Sequence, residues 1–264
     1  MTSPSTFARL LERQTASVLG AIGTRAYFLR DMMRGLREPG TFIPETIRQM
    51  RVIGVESVPL AVIVAAFLGG VTAFQTRYQL FPGVQLSVVG LIARQSIVLE
   101  LGPLLTALVL TGRVGARMTA EIGTMRVTEQ IDALETLAFD PIAYLALPRL
   151  LAALVMLPAL TMIANATAIF SAWATLVFAT DVRTSDFLDG LRLAFTQFQV
   201  VYSMIKAVCF GGAIALVCSY EGYVTEAGAE GVGRSTALAV VIASVSILVL
   251  DAIVAAVFAP FIQA

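Results

Sequence analysis

Three ionisable side chains lie inside long apolar stretches of this sequence: Glu100, Lys206 and Asp251. Charges in such surroundings are costly in a bilayer, so they are candidates for a functional site by default. With five spans and the orientation given below, Lys206 and Asp251 fall about 14 to 15 Å below the outer surface of the membrane at 1.5 Å per residue, and Glu100 falls at a similar depth if its span begins near residues 88–90. This common depth predicts one shared polar patch. The patch is either a structural ion pair that fixes helix packing, a binding surface for an anionic group, or a proton relay.

Other kinds of chemistry are excluded by residue type. The chain has no histidine, so a histidine general base, a Ser-His-Asp triad and a histidine-ligated metal are ruled out. Cys209 and Cys218 are nine positions apart, which places them on opposite faces of a helix and about 13 Å apart along its axis, too far for a disulfide. Lys206 is the only lysine and follows no glycine-rich loop, so a phosphate-binding loop for ATP is absent. We therefore predict no catalytic residue, no metal and no cofactor, with any ATP-driven work done by a partner.

Composition points to a membrane protein. Of 264 residues, 58% are hydrophobic and 14% are charged, against about 25% charged in an ordinary soluble domain. The 18 Lys and Arg residues balance the 18 Asp and Glu residues, which removes the basic surplus expected of a nucleic-acid binder. We predict an all-α integral membrane protein.

Five stretches are long and apolar enough to cross a bilayer, which requires about 20 residues. The third carries Pro158 and exceeds one perpendicular crossing, so it predicts tilt, a kink or an extension beyond the membrane. A hairpin is the alternative, but no polar turn interrupts this stretch. The five predicted spans are roughly 53–76, 86–111, 150–180, 197–220 and 236–261.

The distribution of basic residues predicts the orientation. With the N-terminus inside, thirteen of the 18 basic residues fall on the cytoplasmic side. Five spans then place the C-terminus outside, in the periplasm of a bacterium. The first residues lack the acid-free Ser/Arg character of a plastid leader, so we expect a bacterial inner membrane.

The first forty residues predict an interfacial amphipathic helix. Their apolar residues share one stripe, with most arginines off it, as in helices that lie on a membrane surface. Arg25 falls on the stripe and would have to extend toward the headgroups. An ordinary helix packed on a partner is the alternative. Residues 38–40 break the helix, and Pro44 is suited to open the next one. The stripe consists of Phe7, Leu11, Val18, Ile22, Leu29, Met33 and Leu36.

The segment between spans two and three predicts a short amphipathic helix over about 119–138. Apolar residues recur at 127, 131, 134 and 138, while Glu129, Asp132 and Glu135 occupy another face. Asp140 and Pro141 follow as a stop. Such a cytoplasmic helix either passes motion from a soluble partner to the spans or is a solvated loop helix without a special role.

Three motifs resemble the MlaE/YrbE family, whose members are permease subunits of ABC lipid transporters that work with MCE-domain proteins. The most specific is the run 112–138, which continues to Arg149. Residues 100–107, Glu-Leu-Gly-Pro-Leu-Leu-Thr-Ala, look like the family's second-span motif, and residues 228–236 resemble its loop before the last span. The resemblance extends from about residue 44 to residue 261.

The resemblance implies a single permease domain over 1–264: an interfacial helix at 1–40, and five spans over 44–264. It also implies a homodimer, a phospholipid pocket between the subunits, a separate ABC ATPase, an MCE-domain partner, and room for a small STAS-type regulatory subunit. The segment 121–137 corresponds to the coupling helix that would sit on the ATPase. The residues implied in coupling are Glu121, Gly123, Thr124, Met125, Arg126, Glu129, Asp132 and Glu135.

By the same resemblance, the intramembrane residues line the lipid cavity, where Lys206 attracts the phosphate. Leu99 stands where the family commonly has arginine, and Arg94, five residues earlier, is a candidate substitute. The predicted function is non-catalytic phospholipid transport between the inner membrane and an MCE-domain protein. The alternative is a proton-driven secondary transporter that uses Glu100 and Asp251, which is disfavoured because no internal repeat is visible.

Overall fold

A computed structural model describes residues 23–37, 39–81, 83–226 and 228–262, and this part of the chain is helical without strands. It confirms an all-α membrane protein, because five helical segments have the length and composition needed to cross a bilayer. Their bounds are Phe42–Gln79, Ser87–Val127, Pro141–Ala179, Gln197–Tyr223 and Ala229–Phe258.

The helices are numbered in chain order: α1 over residues 23–34, α2 Pro39–Ile53, α3 Val58–Gln79, α4 Ser87–Gln95, α5 Gly102–Leu110, α6 Ala116–Val127, α7 Gln130–Thr136, α8 Pro141–Ala179, α9 Thr184–Arg192, α10 Gln197–Tyr223 and α11 Ala229–Ile262. The first span is α3, and the second is the continuous run from α4 to α6. The third, fourth and fifth spans are α8, α10 and α11.

Helix α1 packs on the bundle, and the face that makes this contact is not the apolar stripe predicted from the sequence. Phe28 and Met32 are buried, and the Phe28 ring meets Tyr220 edge-on with centroids 5.6 Å apart. The predicted stripe residues that the structure describes, Leu29, Met33 and Leu36, are exposed. The other four, Phe7, Leu11, Val18 and Ile22, lie outside the described residues.

Two expectations for this region are wrong. Arg25 does not extend toward headgroups but forms an ion pair with Glu221 of α10 at 2.5 Å, because a nearby carboxylate on the bundle is a better partner for a half-buried guanidinium. Helix α2 begins at Pro39 rather than at Pro44, which lies inside it. Proline suits a first helical turn because its missing N–H has no helical partner there.

The third span is one unbroken helix of 39 residues, Pro141–Ala179, which contains Pro148 and Pro158. Its length of about 58 Å exceeds the roughly 30 Å hydrocarbon core, so it extends beyond the bilayer. The side chain of Asp140 accepts the backbone N–H groups of Ile142 at 3.0 Å and Ala143 at 3.2 Å. Asp140 is thus the N-cap of this helix and Pro141 is its first residue. The same two residues also end the preceding segment.

Close packing of the first and third spans depends on small residues. Ala61, Ala65, Gly69 and Ala73 recur every fourth position of α3 and are buried. Ser171 of α8 donates a hydrogen bond to the Ala66 carbonyl at 2.6 Å. Small residues allow the backbones of membrane helices to approach one another, which fixes the frame for the second and fourth spans.

A helix that the sequence analysis did not identify, α9, links spans three and four. It packs across α4, where a Cβ added to Gly90 would lie 3.2 Å from the Cα of Gly190. Arg77 at the end of the first span donates to Asp181 just before α9, with a shortest distance of 2.7 Å. This hydrogen bond lowers the pKa of Asp181.

Candidate functional site

The three ionisable residues of the spans meet at one point, hereafter the charge cluster. The Nζ of Lys206 lies 2.5 Å from a carboxylate oxygen of Glu100 and 2.8 Å from one of Asp251. Lys206 is nine residues after the start of α10, about 14 Å along the helix axis, which corresponds to the middle of a hydrocarbon core of about 30 Å that begins with this helix. The structure brings together three residues that the sequence placed at one depth.

The exposure of the three side chains differs sharply. Lys206 is completely buried and Asp251 is 18% exposed, whereas Glu100 is 46% exposed. The cluster carries one positive and two negative charges. Lys206 is enclosed by the described chain and paired with two carboxylates, and its attraction of a phosphate stays a prediction. Glu100 is the member that presents its charge outward.

Three polar residues beside the cluster were missed from the sequence: Tyr202, Asn165 and Ser203. The Nζ of Lys206 lies 4.8 Å from the ring centre of Tyr202, which precedes it by four residues on the same helix face. Asn165 of α8 donates to the Ser203 hydroxyl at 3.1 Å, linking the third and fourth spans at the same level. The polar residues at 202, 203 and 206 on one apolar helix were the sequence signal that could have predicted a larger polar site.

A widened turn in the second span positions Glu100. Residues Ser96–Leu101 form a π-helix, in which the N–H of Gly102 bonds to the carbonyl of Ile97 five residues back. Pro103 has no N–H to offer the carbonyl of Leu99, so a regular α-helical bond is missing here. Such π segments are common at functional sites. A second π segment, Thr111–Gly115, interrupts the same span.

The fifth span, which contributes Asp251 to the cluster, is poorly covered by the rest of the described chain. Only 17% of the most apolar stretch of the fifth span is buried, and several of its large apolar residues are at least half exposed: Val241, Val245, Leu248, Val249, Ile253 and Val257. A half-exposed carboxylate in the middle of a membrane is unfavourable against acyl chains. It needs water, a ligand or another protein surface.

Arg94 does not join the cluster. It is buried, and its guanidinium donates to the Gln199 side chain and to the carbonyls of Leu193 at 2.9 Å and Ala194 at 3.4 Å. These partners lie in the segment between α9 and α10 and in the first turn of α10. Arg94 thus lies at the level of the start of α10, and its partner Gln199 is seven residues before Lys206, about 10 Å along the helix axis.

The segment predicted as one amphipathic helix over 119–138 is two helices. Helix α6 continues the second span to Val127, and α7 begins at Gln130. Glu129 at the break has φ 60°, the left-handed conformation. The apolar face nevertheless packs as predicted at Ile131, which is fully buried beside Ile122 and Leu145. The periodicity is common to both helices, so it did not reveal the break.

The acidic face of this segment is exposed. Glu129, Asp132 and Glu135 all lie on the surface. Asp132 pairs with Arg126 across the break at 2.9 Å. The two remaining carboxylates have no ion pair within the described residues. This acidic patch, residues 129, 132 and 135, is available to a partner.

Glu121 has a different role from the exposed acids. Its carboxylate accepts Arg117 at 2.8 Å and Arg149 of α8 at 3.2 Å, and Arg117 also pairs with Glu56 at 3.0 Å. The four residues tie together the ends of the first three spans on one side of the membrane. These ion pairs connect α6 with the chain just before α3 and with α8.

The remaining predicted coupling residues divide between packing and surface. A Cβ added to Gly123 would lie 2.9 Å from the Thr225 hydroxyl, so glycine is required for the close approach of the chain after α10. Thr124 and Met125 line a cavity of about 600 Å³ together with Arg48, Tyr144 and the buried Arg149.

Glu129→Gly should stabilise the protein. A side chain in the left-handed conformation costs roughly 1 kcal/mol, and glycine adopts it without that cost. We expect the free energy of unfolding in detergent to rise by about 1 kcal/mol. Glu135→Gly, inside α7, is the matched control and should lower it by a similar amount. Equal changes in the free energy of unfolding for the two substitutions would contradict the left-handed conformation of Glu129 between α6 and α7.

The model of the family described as Permease MlaE matches residues 46–257. The chain belongs to the MlaE permease family. The match includes the charge cluster, both π segments and the acidic patch. A member of this family is a membrane permease and not an enzyme.

Relatives cover almost the whole chain. A probable ABC transporter permease of Rickettsia prowazekii is 34% identical over 253 residues, 95% of this chain and 97% of its own length. The intermembrane phospholipid transport system permease protein MlaE of Haemophilus influenzae is 30% identical over 252 residues, with the same two coverages. The chloroplastic protein TRIGALACTOSYLDIACYLGLYCEROL 1 of Arabidopsis thaliana is 32% identical over 214 residues, 81% of this chain and 61% of its own length.

Proposed function

We propose that this chain is the permease subunit of an ABC transporter that moves phospholipid between a bacterial inner membrane and an MCE-domain protein. It works as a homodimer, and a separate ATPase subunit hydrolyses the ATP. The name of the Haemophilus relative supports the phospholipid substrate, and the names of the rickettsial relatives support the ABC class. The whole chain acts as one permease domain, with a STAS-type subunit as an optional addition.

The half-exposed Glu100 is the observation that carries this proposal. A carboxylate held in mid-membrane by a buried lysine is stable only if its open side meets water or a polar group. A second copy of the chain, facing Glu100 and the uncovered face of α11, would enclose such a space. The polar headgroup of a phospholipid fits a hydrated cavity of this kind, and the surrounding apolar side chains suit its acyl chains.

The acidic patch supports the ATPase contact. It is exposed, and it is joined to the end of the second span, which carries Glu100, across the break at Glu129 by the Asp132–Arg126 pair. A displacement of α7 by the ATPase would reach α6 across this break, and from α6 the second span continues through the second π segment to the charge cluster. Two copies would present two such patches to a two-fold ATPase.

ATP-driven lipid movement tests the function directly. The full-length chain purified with its ATPase should contain bound phospholipid, and liposomes with both should transfer labelled phospholipid to an MCE-domain acceptor only with ATP. Hydrolysis-deficient ATPase is the control. Proton-gradient-driven uptake by the chain alone, without ATP, would instead support a secondary transporter.

The orientation follows from the basic residues and is testable by labelling. We place the acidic patch in the cytoplasm and α9 in the periplasm. In intact cells, a membrane-impermeant maleimide should label Asp189→Cys and spare Asp132→Cys until the membrane is permeabilised. The native Cys209 and Cys218 lie inside α10, and the unsubstituted chain gives their background. The opposite pattern would overturn the ATPase contact.

A further inference from the structure

A second polar site lies away from the charge cluster, between α9 and the second and third spans. A cavity of about 490 Å³ is lined by Arg94, Ile169, Leu188, Leu191, Arg192 and Phe195. Four of these six residues are apolar, and the other two are arginines from different elements. The arrangement combines a cationic end with an apolar wall.

Arg94 is a buried cation whose charge is not balanced. It is 4% exposed, and its recorded acceptors, the Gln199 amide and two backbone carbonyls, are all neutral. Its Nε has no acceptor in the described part of the chain, and no carboxylate there lies within ion-pair distance of its guanidinium. A buried charge without a counter-charge is strongly unfavourable, so an anion beside Arg94 would relieve that cost.

Arg192 adds a second cation at the same cavity. It is exposed at the end of α9. Asp186 and Asp189 are on the same helix, yet neither forms an ion pair with Arg94 or Arg192 among the residues that the structure describes. Two arginines without carboxylate partners favour one anionic group between them, because guanidinium groups bind phosphate oxygens well.

The depth of the cavity indicates which anion. Arg94 contacts Gln199, two residues after α10 begins at Gln197, about 3 Å along the helix axis. A hydrocarbon core that begins with α10 has its edge at this level, where the phosphates of membrane lipids lie. Leu188 and Phe195 are 42% and 51% exposed, so the apolar wall is accessible from the membrane.

We propose that this cavity binds the phosphate of a phospholipid from the adjoining leaflet, with an acyl chain along Leu188, Leu191 and Phe195. Arg94 and Arg192 hold the phosphate. The site is separate from the charge cluster and does not depend on the transport role proposed above. Its occupancy fixes α9 and the segment after it against the second span.

Lipid binding to the full-length chain in detergent tests the site. Native mass spectrometry would count dipalmitoyl-phosphatidylglycerol bound to the wild-type chain and to Arg192→Gln. The Arg192 side chain forms no hydrogen bond or ion pair in the described part of the chain, so this variant should fold. We expect its dissociation constant for one lipid to rise about tenfold, the cost of a single charge-assisted contact. Arg183→Gln, at the other end of α9 and outside the cavity, should bind as the wild type does.

Two further arms identify the ligand. Dipalmitoylglycerol, which has the same acyl chains without phosphate, should show no difference between the wild type and Arg192→Gln. Inorganic phosphate at millimolar concentration should not displace the phosphatidylglycerol. Equal phosphatidylglycerol binding by the wild type and Arg192→Gln would overturn the proposal, and so would displacement by free phosphate.

Discussion

Lys206→Met should destabilise the protein severely. The substitution leaves Glu100 and Asp251 without their cation in the middle of the membrane. Removing one partner of a buried ion pair costs about 3–5 kcal/mol, a large fraction of the total stability of most proteins. Thermal unfolding in detergent should show a strongly lowered midpoint, and the yield of assembled protein should fall. Unchanged unfolding would contradict the burial of Lys206.

A triple variant separates stability from function. Glu100→Gln, Lys206→Met and Asp251→Asn together remove all three charges, so no unpaired charge remains. We expect the triple variant to recover most of the stability lost in Lys206→Met, as neutral replacements of buried ion pairs often do. ATP-driven lipid transfer should stay about tenfold below wild type, because the cavity has lost the charge of Glu100. Recovery of transfer together with stability would show that the cluster is a packing device only.

Charge reversal of the acidic patch should detach the ATPase. In Glu129→Lys with Asp132→Lys, two exposed negative charges become positive, and like charges juxtaposed in an interface cost several kcal/mol. We expect the ATPase to be lost from the purified chain, with affinity lowered at least about thirtyfold for roughly 2 kcal/mol. The folded chain should be little affected, because the exposed Arg126 pair contributes at most about 1 kcal/mol.

The matched control for this variant lies on α9. Asp186→Lys with Asp189→Lys reverses two helical carboxylates, which the proposed orientation places on the opposite side of the membrane. This control should keep the ATPase. Loss of the ATPase from both variants would indicate a nonspecific effect of charge, and retention by both would remove the acidic patch from the interface.

The sequence determined the elements that depend on local composition. Five apolar stretches gave five spans, and the lack of a polar turn made the third span one helix through Pro148 and Pro158. Counting residues from the span ends also placed Glu100, Lys206 and Asp251 at one depth. These properties follow from the length and periodicity of single segments, which a bilayer constrains strongly because every backbone polar group must be bonded internally.

Partners and local distortions were decided only by the tertiary structure. Lys206 and Glu100 are 106 positions apart, so the periodicity of neither segment predicts their contact. Periodicity also does not predict that Lys206 is buried between carboxylates while Glu100 is half exposed. In the same way, the sequence did not reveal that Arg25 pairs with Glu221 or that Arg94 donates to neutral acceptors near α10. The apolar periodicity is the same before and after the π turn at Pro103, and before and after the break at Glu129. A helical wheel therefore does not detect either distortion. Charge pairing and helix distortion depend on which surfaces meet, and that information belongs to the packed bundle rather than to any one segment.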